Sequence, residues 1–205
     1  MGRELTKYDE ILESDPNVSK ILSEEMAKVM FENNKFTTKN LTPTWIKNLR
    51  KNLALYKKHG SFLTHFRNFG KNKAVIGVGA GPSFNINKHV LKEIYNYNLL
   101  FPLEEQPFII IATNKMLKPL LKMGIHPHFT ILIDAGDALY PQLCSGIAKK
   151  QTDKFLIAGL HTSNKILKEW DRRGNHIFFY HIGGDKENKI FKDETNEDPE
   201  AIRID

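Results

Sequence analysis

From Lys73 onward the chain alternates two kinds of segment, and this alternation constrains the fold more than any other feature. Ala74–Val78, Phe108–Ala112, Phe129–Ile133, Phe155–Ala158 and Ile177–Tyr180 are short, continuous apolar runs. Runs of that length, rich in β-branched and aromatic residues, read as strands buried on both faces. Between them lie helical candidates at Asn87–Tyr97, Lys115–Met123, Tyr140–Lys149 and Asn164–Arg172. Strands and helices in strict alternation build βαβ units. The pattern predicts a Rossmann-like α/β fold, an open parallel sheet of about five strands with helices on both faces.

Residues 1–72 read as a helical N-terminal extension. Asp15-Pro16 has the form of a helix start, and Val18, Ile21, Leu22, Met26, Val29 and Met30 follow at helical spacing, with Asn33-Asn34 as the expected stop. Thr42-Pro43 reads as a second start, with Trp45, Ile46, Leu49, Leu53 and Tyr56 on the apolar side and His59-Gly60 as the end. Neither helix carries a chemical motif. Residues 73–184 form the expected Rossmann-like domain. Residues 185–205 are acidic and poor in apolar side chains, and are expected to be a mobile loop or a truncated continuation. With 205 residues, 40% of them hydrophobic, the chain suits one ordinary core, or one core plus a small helical appendage. No apolar stretch approaches a membrane span, and residues 1–10 lack the core of a signal peptide. Cys144 is the single cysteine, which excludes an internal disulfide and agrees with an expected cytoplasmic setting.

The first strand runs into Gly77-Val78-Gly79-Ala80-Gly81-Pro82-Ser83. Glycines let the backbone turn sharply and let a ligand approach it without a Cβ atom in the way. Pro82 suits a first helical position, with Gly81 as the N-cap. Free N–H groups and the dipole at that helix start make a phosphate seat, and the Ser83 hydroxyl adds a donor. A tight turn that binds nothing is the alternative. No Gly-Lys-Ser/Thr ending is present, which excludes a Walker loop. Phe84 stands where the dinucleotide fingerprint has its third glycine, and the second strand ends in Ala112-Thr113-Asn114 rather than in an acid. NAD is therefore not expected.

Ligands of open parallel sheets sit outside the carboxyl ends of the strands. Those ends carry Asn114, Asp134, His161, Thr162, Ser163, Asn164 and His181. Asn114 could read a base or ribose, or cap the following helix. Asp134 could hold a Mg²⁺ that bridges phosphates, or contact a substrate hydroxyl; Asp137 is a further candidate. Thr162 and Ser163 could contact phosphate or start a helix. His161 and His181 are candidates for acid–base chemistry alongside Asp134, with a loop role as the alternative for each. His126-Pro127-His128 belongs to a loop at the opposite edge and is no metal motif.

The net charge of +6 is uneven. No Asp or Glu occurs from Asn33 to Lys92, a stretch that holds twelve Lys and Arg residues. Such a block attracts anions, or is simply a solvated helical surface. A nucleic-acid partner has no support from zinc-finger spacing, an RNP-type motif or an arginine-rich run.

Taken in order, Val75-Ile76-Gly77-Val78-Gly79-Ala80-Gly81-Pro82-Ser83, Ile110-Ile111-Ala112-Thr113-Asn114-Lys115, Leu120-Leu121-Lys122-Met123-Gly124-Ile125-His126-Pro127 and Ile133-Asp134 resemble the MptE-like family. That family is named for the archaeal 6-hydroxymethylpterin diphosphokinase and includes the central domain of bacterial motility accessory factors, which are flagellin glycosyltransferases. The turn and the strand-end Asn also resemble those of bacterial sialyltransferases, which bind a CMP-sugar there. The resemblance spans about Lys73 to Tyr180. It implies that Gly77, Gly79, Ala80, Gly81, Pro82 and Ser83 bind nucleotide phosphates and that Asn114 contacts the nucleotide. It further implies that Asp134 faces ligand or metal and that Thr162, Ser163 and Asn164 line the pocket. The implied activity is glycosyl transfer from a nucleotide-activated sugar or diphosphate transfer from ATP to a pterin. A nucleotide-binding module without turnover and a nucleic-acid binder are the competing readings. His128 stands where the family has Asp. The family also continues beyond this point with a small-residue helix, a strand and a Gly-x-Asp turn, so a fragment is one expectation for this chain.

Overall fold

The computed structural model describes residues 24–144, 155–181 and 183–202. The chain divides into two compact units, Met1–Pro43 and Thr44–Asp205. One helix, α1 (Glu24–His59), runs through the boundary. The expected stop at Asn33-Asn34 and new start at Thr42-Pro43 are therefore not there. Asparagine inside a helix costs well under about 1 kcal/mol relative to alanine, too little to end one. Pro43 removes one backbone bond, and the helix continues past it. The start expected at Asp15 lies outside the described residues.

The second unit is built on five strands, β1 (Ala74–Val78), β2 (Phe108–Thr113), β3 (Phe129–Leu132), β4 (Phe155–Gly159) and β5 (His176–Tyr180). All neighbours are parallel and the spatial order is β1-β2-β3-β4-β5. The open parallel α/β sheet expected from the alternation is the fold observed. Right-handed crossovers between strands laid down in chain order return to one face each time. The crossover helices α3 (Ser83–Asn98), α4 (Asn114–Lys122) and α6 (Asn164–Arg172) accordingly share that face. Leu91, Met116 and Leu120 pack there with Val78, Ile110 and Ala112. Ile166, Leu167 and Trp170 pack with Leu156, Ala158, Ile177 and Phe179. The second half of α1 joins this layer through Leu49, Leu53 and Tyr56.

The opposite face is closed by the short helix α2 (Phe62–Phe66) and Phe69. Phe66 sits 4.9 Å from both Phe129 and Phe178, ring centre to ring centre, and 5.2 Å from Phe155. Edge-to-face aromatic pairs of this kind add about 0.5–1.5 kcal/mol beyond area burial. Residues 44–72 thus complete the core of the sheet rather than lying outside it. A short helix α5 (Tyr140–Leu143) follows β3, and the rest of the helix expected up to Lys149 lies outside the described residues.

The acidic C-terminal stretch, expected to be a mobile loop or a truncated continuation, is helical where it is described. It forms α7 (Asp185–Thr195) and a 3-10 turn, Pro199–Ile202. Phe191 is fully buried in the main core and Ile202 nearly so. Two well-placed apolar side chains anchor a segment whose average composition is polar.

Candidate functional site

Parallel strands direct all their carboxyl ends to one edge, where the glycine-rich turn, Asn114, Asp134 and residues 161–164 stand at successive strand ends. The turn is exposed from Gly79 to Ser83. Pro82 takes helical angles (φ −57°, ψ −32°) immediately before the first residue of α3. Phe84 N–H donates to the Gly81 carbonyl at 3.1 Å and Asn85 N–H to the Pro82 carbonyl at 3.1 Å, so the first turn of α3 is tight. Neither its first turn nor those of α4 and α6 holds an acid.

The three glycines are not needed for backbone strain. Among the described glycines only Gly60, Gly124 and Gly174 have positive φ. Nor are they needed for packing. A Cβ at Gly77 or Gly79 would meet nothing within 4 Å, and one at Gly81 only Ser83 Oγ at 3.7 Å. As far as the described residues are concerned, a Cβ fits at each of the three positions. What three missing side chains provide is open backbone.

Beside the turn lies a cleft of about 250 Å³ between β1 and α3. Ile76, Gly77, Val78 and Gly79 line it from the strand, and Ser83, Phe84, Asn87 and Leu91 from the helix. Asn87 was not among the sequence-derived candidates. Its signal was its position one helical turn after Ser83.

The other strand ends divide into exposed groups and structural ones. Asp134 is exposed two residues beyond the end of β3. Asn114 is half-buried at the start of α4 and donates to Gln142 Oε1 at 2.9 Å. Ser163 caps α6, accepting from Ile166 N–H at 3.4 Å, and its hydroxyl donates to Asp137. Thr162 is fully buried and donates to the Gly159 carbonyl at 2.7 Å. Asn164 donates to Asn52 Oδ1 at 2.8 Å. These three side chains hold the loop in shape.

Two asparagines on α1 organise this edge, although the sequence showed no chemistry there. Asn52 is fully buried and donates to the carbonyls of Leu160 and Thr162 at 2.8 and 2.9 Å. Asn48, one turn earlier, donates to the carbonyls of Ala135 and His161 at 3.2 and 3.1 Å. Their spacing of four on the apolar side of a helix was the available signal.

The histidines are placed for structure. His181 is 1% exposed, stacks on Phe191 at 5.4 Å, and its Nε2 lies 2.7 Å from Asn188 Oδ1. Closed under α7, it has no surface for a substrate, which removes it from the acid–base candidates. His161 packs edge-on against Trp45 at 5.8 Å. Burial holds its pKa below the ordinary histidine value, against the pull of its hydrogen bond to Ile133 and of nearby acids. His128, at the opposite edge, accepts from Ile110 N–H at 3.0 Å through Nδ1 and so donates from Nε2 to Gln106 Oε1 at 2.7 Å. Its role is to join β2 to the preceding turn.

Among the described residues no three His, Cys, Asp or Glu side chains gather as a metal site, and no helix is long and apolar enough to cross a membrane. The family model for "6-hydroxymethylpterin diphosphokinase MptE-like" proteins matches residues 44–201. The chain belongs to the MptE-like family. The matched span is nearly that of the second compact unit. A MAf glycosyltransferase from Magnetospirillum magneticum AMB-1 is similar in structure, with 19% identity and a TM-score of 0.41 over 55% of this chain. The aligned part is 16% of that protein. A search of curated proteins gives no match.

Proposed function

We propose that this member of the MptE-like family binds a nucleotide by its phosphates on the Gly79–Ser83 turn and acts as the donor-binding part of a transferase. The observation that carries this reading is the set of three glycines with ordinary φ and vacant space around each missing Cβ. Nothing among the described residues requires them, whereas phosphates approaching the N–H groups at the start of α3 would. The family description names a diphosphokinase and the similar structure is that of a glycosyltransferase. The two reactions consistent with the site are diphosphate transfer from ATP to a pterin and glycosyl transfer from a nucleotide-activated sugar. Both begin with recognition of a nucleotide's phosphates. Asn114 at the next strand end would touch the nucleotide. Asp134, exposed beyond it, would be the carboxylate for Mg²⁺, an ion commonly held by one or two carboxylates plus substrate phosphates rather than by a full protein cage.

Gly81→Val tests the reading. The new Cβ meets only Ser83 Oγ at an ordinary contact distance, so the fold should persist with wild-type circular dichroism. Nucleotide binding should disappear, because hydrogen bonds to charged groups are worth about 1.5–3 kcal/mol each. The readout is the thermal shift with CMP, ATP and CMP-sugars, which follows saturation. NAD should stabilise no better than AMP. Unchanged nucleotide affinity in the variant would move the phosphate seat elsewhere and overturn the proposal.

A further inference from the structure

We infer that the cleft along the outer edge of β1 receives the flat heteroaromatic ring of the bound nucleotide, an inference that rests on the phosphate seat proposed above. The walls suit a ring. Ile76, Val78 and Leu91 are apolar and Phe84 adds an aromatic surface, the kind of lining that covers the faces of planar ligands. The cleft also has a polar side. Ala74 N–H donates to the Pro107 carbonyl on the β2 side. Along a strand, successive residues direct N–H and C=O to alternate edges. Ala74, Ile76 and Val78 therefore face β2, and Gly77 presents its N–H and C=O to the outer edge. No described strand pairs there.

Gly77 thus offers one donor and one acceptor into the cleft. The Asn87 amide, exposed on the facing helix, offers another of each. A heterocycle carries donors and acceptors around its rim and is apolar on its faces, so it satisfies both kinds of wall together. A lipid chain would leave Gly77 and Asn87 without partners, and a sugar would face three aliphatic side chains and a phenyl ring. Size points the same way. At about 250 Å³ the cleft is smaller than the roughly 300–1,000 Å³ of a site that encloses a whole drug-sized ligand. It has room for one ring system, with the rest of the ligand outside it. Gly79 and Ser83 line both the cleft and the turn, so a ring in one adjoins a phosphate on the other.

Calorimetric titration with AMP, GMP, ribose 5-phosphate and inorganic pyrophosphate tests this, on the wild-type chain and on Asn87→Leu. Asn87 is exposed, so circular dichroism should not change, and Asn87→Ala serves as the smaller substitution if it does. The expected result is that AMP and GMP bind at least about tenfold tighter than ribose 5-phosphate, the scale of one or two hydrogen bonds plus a buried ring. Asn87→Leu should bring both down to the ribose 5-phosphate level and leave pyrophosphate untouched. In ¹⁵N spectra, the Gly77 amide should move with AMP and stay in place with pyrophosphate. Equal AMP affinity in Asn87→Leu overturns the ring site while leaving the phosphate seat standing. So does a Gly77 amide that is protected from exchange without ligand, which would mean that a strand of another copy covers the edge. Failure of both AMP and pyrophosphate to bind overturns the phosphate seat and the ring site with it.

Discussion

The two edges of the sheet are treated in opposite ways. Beyond β5 the edge is closed. Phe179 N–H donates to the Gly60 carbonyl at 3.0 Å, Ser61 forms a parallel bridge with Phe179, and His181 N–H donates to the Ile202 carbonyl at 2.9 Å. Around this closure lie the buried asparagines of α1 and the side chains of Tyr56, Phe179 and Phe191. Beyond β1 no strand pairs among the described residues. Val75 is 57% exposed on one face, and Ile86 and Val90 stand exposed on α3. An unpaired strand is a hazard that folded proteins usually cover, as β5 is covered here. The contrast separates a closed side of the sheet, which carries stability, from a side that no described strand covers.

The sharpest way to break this comparison is to truncate Phe191 on the closed side. Phe191→Ala should cost about 3–5 kcal/mol, the usual loss for a fully buried phenylalanine, measured as a shift in the urea unfolding midpoint. A loss below about 1 kcal/mol would mean that α7 is an ornament on the fold. Next comes Asn52→Leu, which strips the hydrogen bonds from two buried carbonyls. It should cost about 1–3 kcal/mol and, if the proposed function holds, also weaken nucleotide binding, since the loop at residues 160–164 loses its tether. Loss of stability with unchanged binding would separate that loop from the site.

A third test uses pH. Burial lowers the pKa of His59 and of His161 below the ordinary value, so the unfolded chain takes up protons first as pH falls through about 6.5. The stabilising contribution of these two side chains is complete above that pH and declines below it, down to their folded-state values. Asp171 acts later. Burial alone would raise its pKa, but hydrogen bonds from Lys58 and His59 hold it below the usual carboxylate value. Its contribution persists until the pH passes through the carboxylate range. Unfolding at pH 7.5, 6.0 and 5.0 should show the decline, and His161→Gln should flatten part of it. A profile level from 7.5 to 5.0 would contradict the assignment. The smallest effect belongs to the open side, where Val75→Thr should change stability by less than about 0.5 kcal/mol. A larger loss on dilution would indicate that the edge is covered in solution.

The strands were legible because each is a continuous apolar run, and the observed boundaries depart from those runs by one residue at most. The glycine-rich turn at the end of the first strand was legible because glycines at alternate positions are uncommon. The course of α1 was not, since Asn33, Asn34 and Pro43 look like punctuation and individually cost too little to act as such. The last helix was missed because only two buried side chains, Phe191 and Ile202, anchor a stretch that is otherwise polar. Residues 162–164 were recognisable as a polar strand end, but their duties were not. Their partner Asn52 lies 110 positions from Thr162 and 112 from Asn164 in the chain, and no local pattern reports a contact of that range.

The bridge between Ser61 and Phe179 bears on how the chain is made. Strands in chain order could assemble one after another as each leaves the ribosome, every newcomer settling beside its predecessor. The closing contacts run the other way. Gly60 and Ser61 must wait for Phe179, and Tyr56, whose hydroxyl bonds Glu197, must wait for a residue 141 positions later. Contacts of such separation slow folding and keep early segments exposed meanwhile. The first-synthesised part of this unit is thus among the last to find its place, and a nascent chain halted before α7 would present an apolar helix and an uncapped sheet to its surroundings.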